Sequence, residues 1–118
     1  MAGTITLVNT RTDLLPKAVK REIRQLAGVV HERLLALELR KLDGEFARWR
    51  LGELDAFDLS AEIHKFHEGM PRRLWLSFNT NSVSVLVLRV KDGLTEGILN
   101  EAEISEELLA YLRDIPVY

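Results

Sequence analysis

Residues 14–51 read LLPKAVKREIRQLAGVVHERLLALELRKLDGEFARWRL, and this stretch decides the fold class. Its apolar residues recur at steps of three and four along two stripes. Both spacings follow the period of an α-helix, and neither fits a strand. The first stripe comprises Val19, Ile23, Leu26, Val30, Leu34 and Leu37, and the second comprises Leu35, Leu39, Leu42, Phe46 and Trp49.

The change from one stripe to the other leaves two arrangements open for residues 14–51. Either one long helix changes the partner against which it packs, or the helix bends or breaks near Gly44 and forms an antiparallel hairpin. Gly28 lowers helix stability by about 1 kcal/mol relative to Ala, so we expect it to permit close packing there. A continuous helix would be longer than a typical globular helix, which favours a bundle or a seam between two copies.

Start and stop signals mark the helices that follow. Gly52 is predicted to end the long helical region, and Asp58 or Ser60 can cap the next helix. Pro71 is well placed to open another helical turn. Ser105, followed by two glutamates, is a good helix opening because the macrodipole favours acidic residues in the first turn.

Residues 83–90, VSVLVLRV, fit two structures. Their valines favour a strand, whereas a buried helix capped by Ser82 explains the same residues, and we favour the helix. The predicted fold is therefore all-α, a small bundle of about four or five helices with a long N-terminal helix or helical hairpin. The alternative is an α+β fold with a short strand pair from residues 4–9 and 83–90.

The composition is that of an ordinary globular domain. The chain has 118 residues, of which 47% are hydrophobic and 29% charged, so we predict a single domain over residues 1–118. Residues 1–12 are expected to be disordered or to form a short strand. The chain has no cysteine, which excludes disulfides and thiolate metal sites and fits a reducing, cytoplasmic compartment. The longest apolar run, residues 85–88, is too short for a membrane span.

Charge is unevenly distributed along the sequence. Residues 1–50 carry a net charge of +4 and residues 51–118 a net charge of −6. This asymmetry favours attraction between the two halves, within one chain or between two, over a basic surface for an anionic partner. Four cations nevertheless cluster where the macrodipole of the long helix disfavours them. We predict that these four bind nucleic-acid phosphate or an acidic protein surface: Lys17, Lys20, Arg21 and Arg24.

Two short segments combine arginine with tryptophan. They are Arg48-Trp49-Arg50 and Arg72-Arg73-Leu74-Trp75. Arginine and tryptophan are enriched at the energetic centres of protein interfaces, and arginine with aromatic residues can also stack on bases. These residues are therefore candidates for partner binding. The alternative is that each tryptophan is buried in the core and its arginines are solvated.

His64 and His67 lie three residues apart on a predicted helix, where two imidazoles can converge on one metal ion. A third ligand would have to come from His31, Glu38 or Glu62. The alternative needs no metal: His67 flanks the apolar stripe of its helix, and His64 lies on the surface. We favour this alternative and predict no cofactor.

Sequence patterns of catalytic sites do not decide the function. The chain contains neither a G-x-x-x-x-G-K phosphate loop nor a G-x-S-x-G segment. The sequence predicts a small non-enzymatic interaction or regulatory protein that binds another macromolecule as a homodimer, away from membranes. The alternatives are a nucleic-acid-binding module that uses the basic start of the long helix, and a metal-binding helical protein that uses His64 and His67.

Overall fold

The computed structural model describes Thr12 and residues 14–116. Every regular element within these residues is helical, which confirms the all-α prediction. Its contacts divide the chain into unit 1, residues 1–30 and 80–118, and unit 2, residues 31–79. The prediction of a single domain stays a prediction. The helices are α1 (Lys17–Arg50), α2 (Ala56–Glu68), α3 (Met70–Phe78), α4 (Val83–Thr95), a 3₁₀-helix (Glu101–Glu103) and α5 (Glu106–Arg113).

Helix α1 is unbroken over 34 residues. The alternative of a helical hairpin within residues 14–51 is therefore wrong. Gly44, where a bend or break was one of the two alternatives, lies inside α1. One glycine costs a helix about 1 kcal/mol, and the strong helix formers Leu42, Glu45 and Ala47 around it offset that cost.

Helix α1 ends at Arg50, and Gly52, which was predicted to end it, lies in the turn that follows. Gly52 has a φ of 80°, a left-handed conformation that glycine adopts without a steric penalty. The chain then turns so that the N–H of Gly52 donates to the carbonyl of Trp49 at 3.0 Å and the N–H of Glu53 donates to that of Arg48 at 2.9 Å. These two bonds satisfy carbonyls that the end of a helix otherwise leaves unpaired.

Unit 1 contains a packed apolar core. The buried residues of α1 all fall within residues 19–30, on the first predicted stripe. They are joined by buried residues of α4 and α5 and of the segments around the 3₁₀-helix. The most deeply buried of these apolar side chains are Ile23, Val30, Val87, Val90, Leu99, Leu108 and Leu112.

Gly93 of α4 allows close packing in this core. A Cβ atom at Gly93 would lie 2.7 Å from Cγ2 of Val30 and 3.6 Å from Cδ1 of Leu99. Gly28 was expected to play this role, and that expectation is wrong. A Cβ atom at Gly28 would meet nothing within 4 Å. Among the described residues, no neighbour therefore requires a glycine at this position.

Residues 83–90 belong to α4, as favoured. The N–H of Val85 donates to Oγ of Ser82, the residue predicted to cap this helix. The alternative strand pair is therefore wrong for this stretch, and its other half, residues 4–9, lies outside the described residues. Ser105 also caps its helix as predicted, because its Oγ accepts from the N–H of Leu108 at 3.2 Å.

The cap of helix α2 lies three residues before Asp58, one of its two predicted caps. Asp55 is the N-cap: its Oδ1 accepts from the N–H of Asp58 at 2.7 Å, and Oδ2 of Asp58 accepts from the N–H of Asp55 at 3.3 Å. In a typical capping box of this kind, the third helical residue is Glu or Gln. Here it is an aspartate, and for this reason the sequence did not reveal the capping box. Pro71 lies in the first turn of α3, as predicted.

Candidate functional site

Buried and exposed apolar residues are unequally divided between the two units. Among the described residues, fourteen of sixteen buried hydrophobic residues belong to unit 1, and unit 2 contributes only Leu59 and Leu74. Conversely, nine of eleven exposed large hydrophobic residues belong to unit 2. Exposed apolar residues that lie together can mark an interaction surface. The nine are Leu37, Leu39, Trp49, Leu51, Phe57, Ile63, Met70, Trp75 and Leu76.

In unit 2, α2 and α3 run back along the second half of α1. The ring of His31 stacks on that of Phe78 with their centroids 4.9 Å apart and their planes at 12°. Farther along α1, Leu42 lines the same cavity as Phe66. From the first pair to the second, the residue number rises from 31 to 42 on α1 and falls from 78 to 66 on the returning helices. The returning helices are therefore antiparallel to α1. The second predicted stripe of α1 lies in this unit and contains no buried residue.

Two adjoining cavities form a groove between α1 and the returning helices. The first has a volume of about 250 Å³ and an apolar lining of Leu42, Phe66, Met70 and Pro71. Its charged rim is held by ion pairs within each helix, Lys41 to Glu38 at 3.1 Å and Lys65 to Glu62 at 3.2 Å, with Glu45 beside them.

The second cavity shares Pro71 with the first and has a volume of about 360 Å³. Trp75 and Leu35 supply its apolar walls, and Arg72 and His67 stand at its edge. We call the two cavities together the unit 2 groove. Apolar walls with a few charged groups around them are the usual make-up of a protein-binding surface.

The structure places the arginine–tryptophan residues at two positions in unit 2. Trp49 is 43% exposed and Trp75 is 55% exposed, so neither is buried in a core. The alternative of core tryptophans is therefore wrong within the described residues. Arg48 forms ion pairs with Glu45 and Glu53 at 3.1 and 3.4 Å. Three further arginines are exposed, namely Arg50, Arg72 and Arg73, of which Arg72 lines the groove.

His64 and His67 both lie exposed on α2. Nε2 of His67 lies 3.9 Å from Oε1 of Glu68, and 79% of its side chain is exposed, so it does not pack against an apolar stripe. Among the described residues, which include His31, Glu38 and Glu62, no three metal-ligating side chains come together. Metal binding by the histidine pair, the less favoured alternative, stays a prediction, and no described residue supplies a third ligand.

The four cations at the start of α1 lie in unit 1, on the side of the helix away from its buried residues. Lys17, Arg21 and Arg24 are exposed, and Lys20 is half-buried. Their steps of three, one and three residues place them within an arc of about 100° around the helix axis. We call these four residues the basic face of α1. The arginine–tryptophan residues belong to the other unit.

Sequence reasoning missed several exposed apolar residues. Phe57 is 86% exposed and lies about 200° around α2 from the buried Leu59. In α3, Leu74 is buried but the next two residues, Trp75 and Leu76, are exposed. Successive helical residues are about 100° apart, so the runs FDL and LWL already imply that one neighbour cannot cover every apolar side chain.

No family model, curated protein or solved structure matches the chain. No helix in residues 14–116 has both the length and the apolar character needed to cross a membrane. The surfaces of the two units therefore carry the functional argument.

Proposed function

We propose that this protein is a non-enzymatic interaction protein that forms a homodimer through unit 2. The observation that carries the proposal is the exposure of the second stripe of α1. Leu39 and Trp49 are 48% and 43% exposed, and the other three members of the stripe are only half-buried. A stripe with helical spacing that its own chain leaves uncovered is expected to be covered by a partner.

Only part of the exposed apolar surface of unit 2 can face one partner. Leu37 and Leu39 are two residues apart, so their side chains lie about 160° apart around α1. The second stripe follows one side of the helix and borders the groove through Leu35 and Leu42. A specific interface of standard size uses about 800 Å² per partner, and the polar residues around the groove would supply its rim.

The charges of the groove fit a second copy of the same surface. Its lining contains three carboxylates, Glu38, Glu45 and Glu62, and three cations, Lys41, Lys65 and Arg72. A surface with equal numbers of both signs does not repel its own copy, and a twofold axis can place opposite charges against each other. A polyanion such as nucleic acid would meet as many carboxylates as cations there.

Antiparallel helices pair readily in this manner. Each helix of a two-helix layer has one side toward its neighbour and one side toward solvent, and burying the second apolar side requires another layer. Two copies of unit 2 stacked face to face, each contributing the second half of α1 with α2 and α3, would give a two-layer helical arrangement with a shared core. In this dimer the apolar residues of the unit 2 groove would become buried, in addition to Leu59 and Leu74, which are already buried in one copy.

Replacing Leu39 by Gln tests the proposal. Leu39 is 48% exposed, so covering it contributes about 1 kcal/mol, half the value for a fully buried leucine. A twofold dimer contains two copies, so we expect the dimer Kd to rise by about 30-fold. Leu88→Gln is the matched control, because Leu88 is 39% exposed but belongs to unit 1. Light scattering over a range of concentrations measures the mass. A concentration-independent monomer, or equal weakening by both variants, would contradict the proposal.

A cytoplasmic location and a regulatory role complete this proposal. A chain without cysteine needs no oxidising compartment for its stability. A dimer that presents unit 1 twice has two identical surfaces for a further partner, and two linked surfaces bind a partner with two matching sites more tightly than one surface alone.

A further inference from the structure

Unit 1 contains a cavity that belongs to none of the surfaces described so far. It lies between α4 and the segment that follows α5, and its volume is about 270 Å³. Leu88, Ile115 and Pro116 supply its apolar lining. Leu88 is 39% exposed, although Val87 and Val90 of the same helix are fully buried. The cavity therefore contains an apolar side chain that its own well-packed unit leaves uncovered.

Arg89 lines this cavity and has a hydrogen-bond donor without an acceptor. Its Nε is buried, and no atom of the described residues accepts a hydrogen bond from it. Nη1 of Arg89 lies 3.6 Å from Oδ2 of Asp92, which is an ion pair but too long for a hydrogen bond. Buried polar groups are nearly always paired, because an unpaired one is unfavourable. The buried Nε–H therefore indicates an acceptor from outside the described residues.

Nε lies on a side of the guanidinium that is suited to a carboxylate. Arginine often binds a carboxylate through two parallel N–H donors, and Nε–H with Nη2–H forms one such pair. Asp92 approaches the other nitrogen, Nη1, and 63% of its side chain is exposed. Lys91 adds a second cation to the lining. Two cations against one carboxylate give the cavity an excess of one positive charge, which a ligand with a single negative charge neutralises.

We infer that this cavity binds a small monocarboxylic acid with an apolar chain, the chemical class of the short-chain fatty acids. The carboxylate accepts from Arg89, and the chain contacts Leu88 and the apolar residues after α5. A water molecule occupies about 30 Å³, so the volume of about 270 Å³ accommodates roughly nine non-hydrogen atoms. Phosphate would use the guanidinium but leave the apolar lining uncovered. This inference does not depend on the homodimer, because the cavity belongs to unit 1.

Titration of the full chain with sodium hexanoate tests the inference. In proton–nitrogen NMR spectra we expect the Nε–H signal of Arg89 and the amide signals of residues 88–92 to shift saturably. Half-saturation is expected at about 1 mM, since ligands of so few atoms bind weakly. Acetate lacks the apolar chain and 1-hexanol lacks the carboxylate, so each should bind at least about tenfold more weakly. No saturable shift with hexanoate, or equal binding of either other probe, would overturn the inference.

Two matched variants then locate the carboxylate. Arg89→Gln removes the charged donor and should weaken hexanoate binding by about 10–100-fold. Arg24→Gln removes the same charge from an exposed position of unit 1 outside the cavity. Its Kd should stay within about twofold of the natural chain's, because salt screens exposed charges. Circular dichroism on each variant checks its fold. Equal weakening by both variants would overturn the assignment of the carboxylate to Arg89.

Two further variants separate the guanidinium from the apolar lining. Arg89→Lys keeps the charge but loses the planar pair of donors, so hexanoate binding should weaken by about tenfold. Leu88→Ala shortens an exposed side chain, so the fold should tolerate it. It should weaken hexanoate binding by about threefold and leave acetate binding unchanged. Undiminished hexanoate binding by Arg89→Lys, or by Leu88→Ala, would overturn the inference.

Discussion

Gly28 and Gly93 place the same residue type in opposite surroundings. Both lie within helices, where glycine is about 1 kcal/mol less favourable than alanine. At Gly93 the missing side chain makes room for Val30, which is 1% exposed. Val30 is β-branched and stiff about χ1 in a helix, so it cannot rotate away. At Gly28 the space around the Cα atom is open.

Alanine substitution should therefore have opposite effects at the two glycines. Gly93→Ala inserts a methyl group against Val30, and we expect the free energy of unfolding to fall by about 1–2 kcal/mol. Gly28→Ala, the control, should raise it by about 0.5–1 kcal/mol because it only improves helix propensity. Urea unfolding followed by circular dichroism measures both values. Stabilisation by Gly93→Ala would show that Val30 does not constrain this site.

At the scale of single elements, local signals in the sequence predicted most of the helix boundaries. Ser82, Ser105 and Gly52 were predicted as caps or stops and act as such. These signals work because each depends on hydrogen bonds within a few residues. The contact between Glu22 and Ser105 was not predictable, since 83 residues separate them. Spacing along the chain carries no information about pairs brought together by the fold.

This contact links the start of α5 to α1, and we expect it to stabilise unit 1. Ser105→Ala removes the cap of α5 and leaves Glu22 without its partner, so the free energy of unfolding should fall by about 1–2 kcal/mol. Ser60→Ala is the matched control, because Ser60 is an exposed serine inside α2 without a capping role. Chemical denaturation of both variants, and of Glu22→Gln alone and with Ser105→Ala, gives the coupling energy. Additive effects of the two changes would mean that the contact contributes nothing.

At the scale of the whole molecule, the charge asymmetry of the sequence disappears. Unit 1 combines residues 1–30, net +3, with residues 80–118, net −4. Unit 2 carries eight cations and nine carboxylates. The predicted attraction between the halves is thus consistent with the composition of unit 1, where basic and acidic segments meet within one chain.

The division of apolar residues between the units could be predicted only in part. The two stripes of α1 indicated a change of partner, and the structure places that change between Val30 and His31. The sequence could not show which stripe is left exposed, because both have the same spacing and similar residues. That outcome depends on which helices return along each half of α1. The same holds for the candidate binding residues. Their residue types identified them as candidates, but only the fold shows which of them lie in the same unit.

If a second copy covers unit 2, the local stability of this unit should depend on protein concentration. Opening of α2 or α3 would then require the dimer to separate first, and mass action makes free monomer rarer as concentration rises. Above the dimer Kd, tenfold more protein should slow amide exchange in residues 56–78 by about threefold, since the monomer fraction falls with the square root of concentration. Exchange in α4, where Val87 and Val90 are fully buried, should not change.

Hydrogen exchange measured by mass spectrometry at two concentrations resolves these segments. The Leu39→Gln variant is the control, because a monomer should show no dependence on concentration in either unit. A dimeric natural chain whose residues 56–78 exchange at the same rate at both concentrations would place the interface elsewhere. The exposed second stripe of α1 would then need a different protein to cover it.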